Sequence, residues 1–277
     1  MSSLTFRTVD DVCAGVDFTP SRPVIDLSGI TFVEPFGLIY LGMFLRHHNA
    51  RGRAFDVTLP RDQAVRDYLA RQHFWERFNF DPHSLPPTRL RRMRSTTSLD
   101  DIVDIERRAD VAEEIAGAVL DLLTYNAVPV DLGAVVEIVS ELVDNFALHA
   151  QGPLAAVTMQ LYRGSFYGAP PRFVLAVGDC GIGIRASLAT APQYRYLAEC
   201  SHHEAVAKAF EPMVSRRPDA GTGLTEVRHS TRRLQGTLCL ASGDGYVRLA
   251  KGGLYTGRMG YDLPGVQIEV SIPMARR

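Results

Sequence analysis

Several features are scarce in this chain, and each scarcity removes a class of protein. No apolar stretch approaches the ~18 residues that a membrane-spanning helix requires, so no span is expected. The opening residues, MSSLTFRTVDDV, carry acids where a secretory leader needs a basic start and an apolar stretch. Cysteine is thin and scattered: Cys13, Cys180, Cys200 and Cys239 form no C-x-x-C pair. A disulfide framework and a structural zinc are therefore not expected, and a reducing cytoplasm fits. Lysine is nearly missing, with only Lys208 and Lys251 among 30 basic residues, and the net charge is -1. Nothing in that balance forms an electrostatic footprint for nucleic acid.

What is present is ordinary globular material: 277 residues, 46% hydrophobic, enough for one large domain or two modest ones. A seam shows where Pro82, Pro86 and Pro87 are followed by R-L-R-R-M-R and S-T-T-S. Proline removes helix hydrogen bonds and the polar run has no face to bury, so residues 86–99 read as a linker between domains 1–85 and 100–277. Through Ser98 there are thirteen basic against ten acidic side chains; beyond it, seventeen against twenty-one. The opposite signs permit the two parts to dock.

In the first part, V-I-D-L at 24–27 reads as a short buried strand. A helix-period segment follows, with Phe36, Ile39, Tyr40, Met43, Phe44 and His47 on one face and Pro35 in its first turn. A second strand at 54–59 and a helix from Arg61, with Val65, Tyr68 and Leu69 inward, complete a small α/β unit. His47 and His48 close the first helix, where the macrodipole favours a cationic imidazole. Phe74, Trp75, Phe78 and Phe80 are expected to pack under the linker or against the second domain. The stretch VIDLSGITFVEPFGLIYLGMFLRHHNARG resembles the STAS domains of anti-sigma factor antagonists. There an Asp-Ser or Asp-Thr pair at the helix start presents a phosphorylatable hydroxyl; here the position reads Glu34-Pro35-Phe36-Gly37, without one.

The second part opens with a periodic segment, 105–126, that predicts a helix. Asp131 then caps a helix from Leu132 to His149, whose core stripe is Val135, Val136, Val139, Leu142, Val143 and Phe146. Glu137, Glu141 and Asn145 recur every four residues and share another face. A carboxylate one turn before an amide can orient a nucleophile beside a hard oxygen ligand for Mg²⁺, although such residues on a helix are usually just solvated. Strands follow at 155–162 and 172–179, the second running into Asp179-Cys-Gly181-Ile-Gly183. Acid and glycines at a strand end let backbone approach a planar ligand, with the carboxylate accepting from an exocyclic amine. Later, Gly221-Thr222-Gly223-Leu224 opens a helix, and backbone N–H groups there cradle phosphate. The chain closes with a strand at 237–241, a Ser242–Gly245 turn and a strand at 265–273.

E-L-V-D-N at 141–145, D-C-G-I-G at 179–183 and G-T-G-L at 221–224 together resemble the three nucleotide-binding boxes of the GHKL ATPase superfamily. That superfamily includes gyrase-type ATPases, histidine kinases and anti-sigma factor serine kinases. The resemblance covers about residues 105–273 and implies a two-layer α/β sandwich with a mixed sheet backed by helices. It further implies ATP and Mg²⁺ as ligands, Asn145 as the Mg²⁺-holding residue and Glu141 as general base. Asp179 would receive the adenine amine, Gly181 and Gly183 shape the base pocket, and Gly221, Thr222, Gly223 and Leu224 wrap the phosphates. Residues 185–220 would be a mobile lid, with a short helix at 204–211, Arg216 and Arg217 near the γ-phosphate, and His202-His203-Glu204 on its surface. One departure is Gly265-Val266 where many relatives have Gly-Thr, which removes a hydroxyl near the adenine.

A histidine kinase would carry a dimerising helical hairpin with a phosphoacceptor histidine before its ATPase domain, and a gyrase-type machine a large transducer domain after it; neither is expected from these residues. The compact anti-sigma factor kinase type remains, joined to a STAS-like module. The resulting expectation is a cytoplasmic ATP-Mg²⁺-dependent regulator whose nucleotide state controls docking to a sigma-factor-type or STAS-type protein, with no nucleic acid or membrane partner. Homodimerisation stays open, as does whether ATP is transferred, slowly hydrolysed, or only bound by a non-catalytic interaction module.

Overall fold

A computed structural model describes residues 2–78, 103–105, 110–149, 155–164, 170–215 and 223–274. The linker 86–99 and Phe80 lie outside them. The first part runs β1 (Ser2–Leu4), α1 (Val9–Ala14), β2 (Val24–Asp26), β3 (Ile30–Val33), α2 (Pro35–Asn49), β4 (Asp56–Thr58), α3 (Gln63–Arg71) and α4 (Phe74–Arg77). Pro35 opens α2, where its missing N–H costs nothing. Asp62 caps α3 by accepting from the N–H groups of Ala64 and Val65, at 2.8 and 3.3 Å. β2 pairs with β4 and β1 with β3, both in parallel, so α2 is the crossover between β2 and β4.

The second part runs β5 (Val103–Ile105), α5 (Val111–Tyr125), α6 (Leu132–His149), β6 (Ala155–Tyr162), β7 (Arg172–Asp179), α7 (Gly183–Ala189), a 3₁₀ helix (Pro192–Glu199), α8 (His202–Ala209), α9 (Gly223–Arg233), β8 (Thr237–Ala250) and β9 (Gly253–Pro273). β5-β6-β7-β9-β8 is the strand order, and every pairing is antiparallel. Mixed α/β is therefore the class, as expected, but the mixed sheet expected of the second part is antiparallel throughout among the described residues. Several boundaries differ from the sequence reading, two of them for a clear physical reason. Ile105, the first residue of the expected helix, instead ends β5 and pairs with β6, and the helix starts at Val111, because edge pairing outweighs local helical periodicity there. Ser242–Gly245 is no turn: β8 passes through it with register shifts that absorb the glycines, and the hairpin reverses at Lys251-Gly252 instead.

The two faces of the sheet are both covered. Phe173, Leu175 and Val177 of β7, with Ile268, Val270 and Ile272 of β9, join Ile138, Val139 and Leu142 of α6 in one core. Ala156, Ala176 and Ala241 point the other way, into a second core built mostly by the first part. The expected two-layer sandwich thus gains a third layer, with α2 lying on its outer face. From Pro35 to Arg46 every residue of α2 is buried, which corrects the expectation of a single apolar face. A helix apolar all round needs partners all round, and the sheet supplies the missing side. Phe74, Trp75 and Phe78 pack together, and a Cβ on Gly42 would lie 2.3 Å from the Phe78 ring.

His48 reverses another expectation. Burial, with Arg53 and Arg51 nearby, lowers its pKa to about 4, and burial does the same for His47. Both are neutral at pH 7, desolvation having beaten the helix macrodipole. His48 Nε2 instead meets the Tyr261 hydroxyl at 2.7 Å.

The seam between the parts also buries a carboxylate. Glu269 of β9 accepts from the Phe36 N–H at 2.8 Å, and the adjacent Glu34 pairs with Arg172 at 2.5 Å. Burial, then Glu34, raises the Glu269 pKa to about 8, opposed by the Phe36 N–H and Arg172. A raised carboxylate pKa favours the folded state fully below its unfolded value of roughly 4.3, and that contribution is lost as pH rises through about 8. Glu269→Gln should therefore melt higher than wild type at pH 9, with the two converging towards pH 4.5. Melting curves across that window test it; parallel pH profiles would refute it.

Candidate functional site

α6 begins where Asp131 accepts from the Ala134 N–H at 3.1 Å, and its expected apolar stripe is buried except for Val136, which is half-buried, while Ile138 joins the core. The face carrying Glu137, Glu141 and Asn145 lies against α9, with Glu137 exposed at its edge and Glu141 and Asn145 half-buried. Ser230 of α9 donates to Glu137 at 2.6 Å, which makes Glu137 a packing residue. At the start of α9, a Cβ on Gly223 would stand 2.8 Å from Glu141 Oε2 and 3.0 Å from Asn145 Nδ2. Two motifs some eighty residues apart thus meet, and glycine is what lets them.

Glu141 is half-buried, and burial followed by Asp144, Glu137 and Glu226 raises its pKa. A carboxylate raised in this way is better able to take a proton near neutral pH. The Asn145 Nδ2 atom is buried and has no hydrogen-bond partner among the described residues. Leu224 packs against the main core. Gly221, Thr222, Arg216 and Arg217 lie outside the described residues.

At the end of β7, Asp179 is 2% exposed and accepts from the Gly181 N–H. Gly183 opens α7 with φ +74°, a left-handed conformation that glycine alone takes without strain. Gly265 has φ +89°, and a Cβ there would lie 2.1 Å from the Asp179 carbonyl oxygen. The neighbours of this loop include residues of β8 and β9. Ser242 Oγ accepts from the Ile184 N–H at 3.0 Å and donates to Gly265 O at 2.7 Å. Sequence reasoning missed Ser242. It took 242–245 for a turn, although a hydroxyl before two glycines was the available signal. A hydroxyl therefore does stand beside this loop, contributed by β8 instead of position 266.

The expected lid is built of α7, the 3₁₀ helix and α8 over its described length. Leu197, Ala205, Val206, Ala209 and Phe210 belong to the main core, so moving this part would break that core. Nor is His202 lid surface. Its Nδ1 meets Asp244 of β8 at 2.8 Å and ties α8 to the long hairpin. Glu204 bonds back to Ser201 as a capping box.

A test for Mg²⁺ rests on the α6–α9 junction. It offers a carboxylate and an amide with an orphaned nitrogen, both brought close to the Gly223 backbone. Those are hard oxygen donors of the kind Mg²⁺ takes, so the residues fit. Among the described residues no group of three His, Cys, Asp or Glu could hold a metal ion unaided. A Mg²⁺ ion here would draw most ligands from phosphate and water, its usual habit. No helix among the described residues is long and apolar enough to cross a membrane. A scan against protein-family models and a search of curated proteins each match nothing.

Proposed function

We propose that this protein binds ATP with Mg²⁺ through a GHKL-type site and acts as a cytoplasmic regulator of the anti-sigma factor kinase type. The observation that carries the reading is the junction at Gly223, where the start of α9 abuts Glu141 and Asn145 of α6. In this reading Asp179 accepts from the adenine amine, and Gly181 and Gly183 let the loop approach the base. Gly221, Thr222, Gly223 and Leu224 wrap the phosphates at the head of α9. Asn145 holds Mg²⁺ through its amide oxygen. Bound Mg²⁺ would neutralise phosphate charge. Glu141 accepts the proton of the attacking hydroxyl, from a protein serine or from water. The STAS-like first part occupies the sheet face opposite α6 and α9, which favours an outside protein as the partner that senses nucleotide state.

Calorimetry with a non-hydrolysable ATP analogue tests the reading. Wild type should bind in a Mg²⁺-dependent way, and Asp179→Asn should weaken binding by at least about tenfold. Glu141→Gln should keep the nucleotide and lose turnover if the protein is an enzyme; unchanged behaviour in both respects would make it a binding module. Absence of binding by the wild type would sink the proposal.

A further inference from the structure

The sheet's outer face is built of small residues where α2 crosses it, and the approach is tightest at the end of β7. A Cβ on Gly178 would stand 2.4 Å from Ile39 Cγ2 and 3.4 Å from Met43 Cγ. Two residues on, Cys180 Sγ donates to the Met43 carbonyl at 3.2 Å. Gln267 of β9, the register partner of Gly178, donates from Nε2 to the Asp179 carbonyl at 3.0 Å and to Pro264 O at 3.3 Å. It is 1% exposed, and its Oε1 is buried with no hydrogen-bond partner among the described residues. An orphaned buried acceptor is destabilising, and an apolar side chain of the same length would avoid that cost. What glutamine adds is a grip on the backbone of Asp179 from behind.

We propose that Gln267, clamped against β7 by Ile39 and Met43 of α2, is the positioning residue that sets the direction of Asp179. The first part of the chain is then a fixed wall of the nucleotide pocket, not a detachable partner. The inference deepens the proposed function, resting on Asp179 as the group that receives an exocyclic amine.

The test compares full-length wild type and Gln267→Met, titrated with a non-hydrolysable ATP analogue and its inosine counterpart, in which oxygen replaces the amine. Wild type should prefer the adenine form, and Gln267→Met should shrink that preference by about tenfold while leaving binding of the inosine form unchanged. Equal loss for both analogues, or a preference left intact, overturns the inference while the nucleotide reading stands. Wild type that binds neither form overturns both, and wild type that binds the two equally overturns the inference together with the role given to Asp179. Should Gln267→Met fail to fold, Gly178→Ala provides the second route, since its methyl group collides with Ile39. It should lower the preference similarly, and Gly178→Ala with Ile39→Ala should restore it. Failure of that restoration overturns the coupling to α2.

Discussion

Gly223→Val should abolish nucleotide binding while leaving the fold intact. The added Cβ would meet Glu141 Oε2 at 2.8 Å and Asn145 Nδ2 at 3.0 Å. Both are the far ends of flexible side chains, so they can swing aside at small cost in stability. Glycine at the head of α9 also gives away helix propensity that valine partly recovers. The melting temperature should therefore stay within a few degrees, consistent with a change under about 1 kcal/mol. The displaced groups are those proposed to hold Mg²⁺ and to take the proton, and the γ-methyls would fill the phosphate space. Calorimetry and a melting curve on one sample decide the matter. Wild-type affinity in the variant would mean that the α6–α9 junction is packing alone.

Phe44→Ala should destabilise the whole molecule, not just its first part. Phe44 is fully buried in α2, with ring centroids 5.6 Å from Phe55 and 4.9 Å from Tyr261 of the long hairpin. Truncating such a side chain removes its transfer energy and leaves a cavity, together about 3–5 kcal/mol. The ring touches both parts of the chain, so the loss should lower a single shared transition. Trp75 is the sole tryptophan and is buried in the first part, which makes its fluorescence a local probe. Far-UV circular dichroism follows the helices and strands of both parts. Coincident midpoints, moved together by Phe44→Ala, are expected; separate midpoints would show two independently folding domains.

Much of the local structure was legible because the signals are local. Alternating apolar residues set β6 and β7 to the residue, and the Asp131 cap and the Val135-to-Phe146 stripe set α6. The two glycine-bearing motifs, at 179–183 and 221–224, were visible as candidates for the same reason: close backbone approach needs glycine, and glycine can be read directly. Partners in space were not legible. Glu137, Glu141 and Asn145 could be placed on one face, but only the packing of α9 against that face makes it a site. Ser242 looked like part of a turn, and only the hairpin register brings its hydroxyl to Gly265 and Ile184.

The charge state of His48 likewise depended on burial, which sequence position near a helix end does not reveal. The placement of the first part is the largest case. Small residues at 156, 176, 178 and 241 are weak signals individually, because alanine and glycine occur in strands for many reasons. Sequence alone determined where α2, α6, β6 and β7 lie and where glycine opens α7 and α9, since those preferences act over a few neighbouring residues. Tertiary structure alone decided that α2 covers the sheet and that Asp179 is held from behind. Those outcomes rest on shape matching between surfaces 88 or more residues apart, which no short-range pattern encodes.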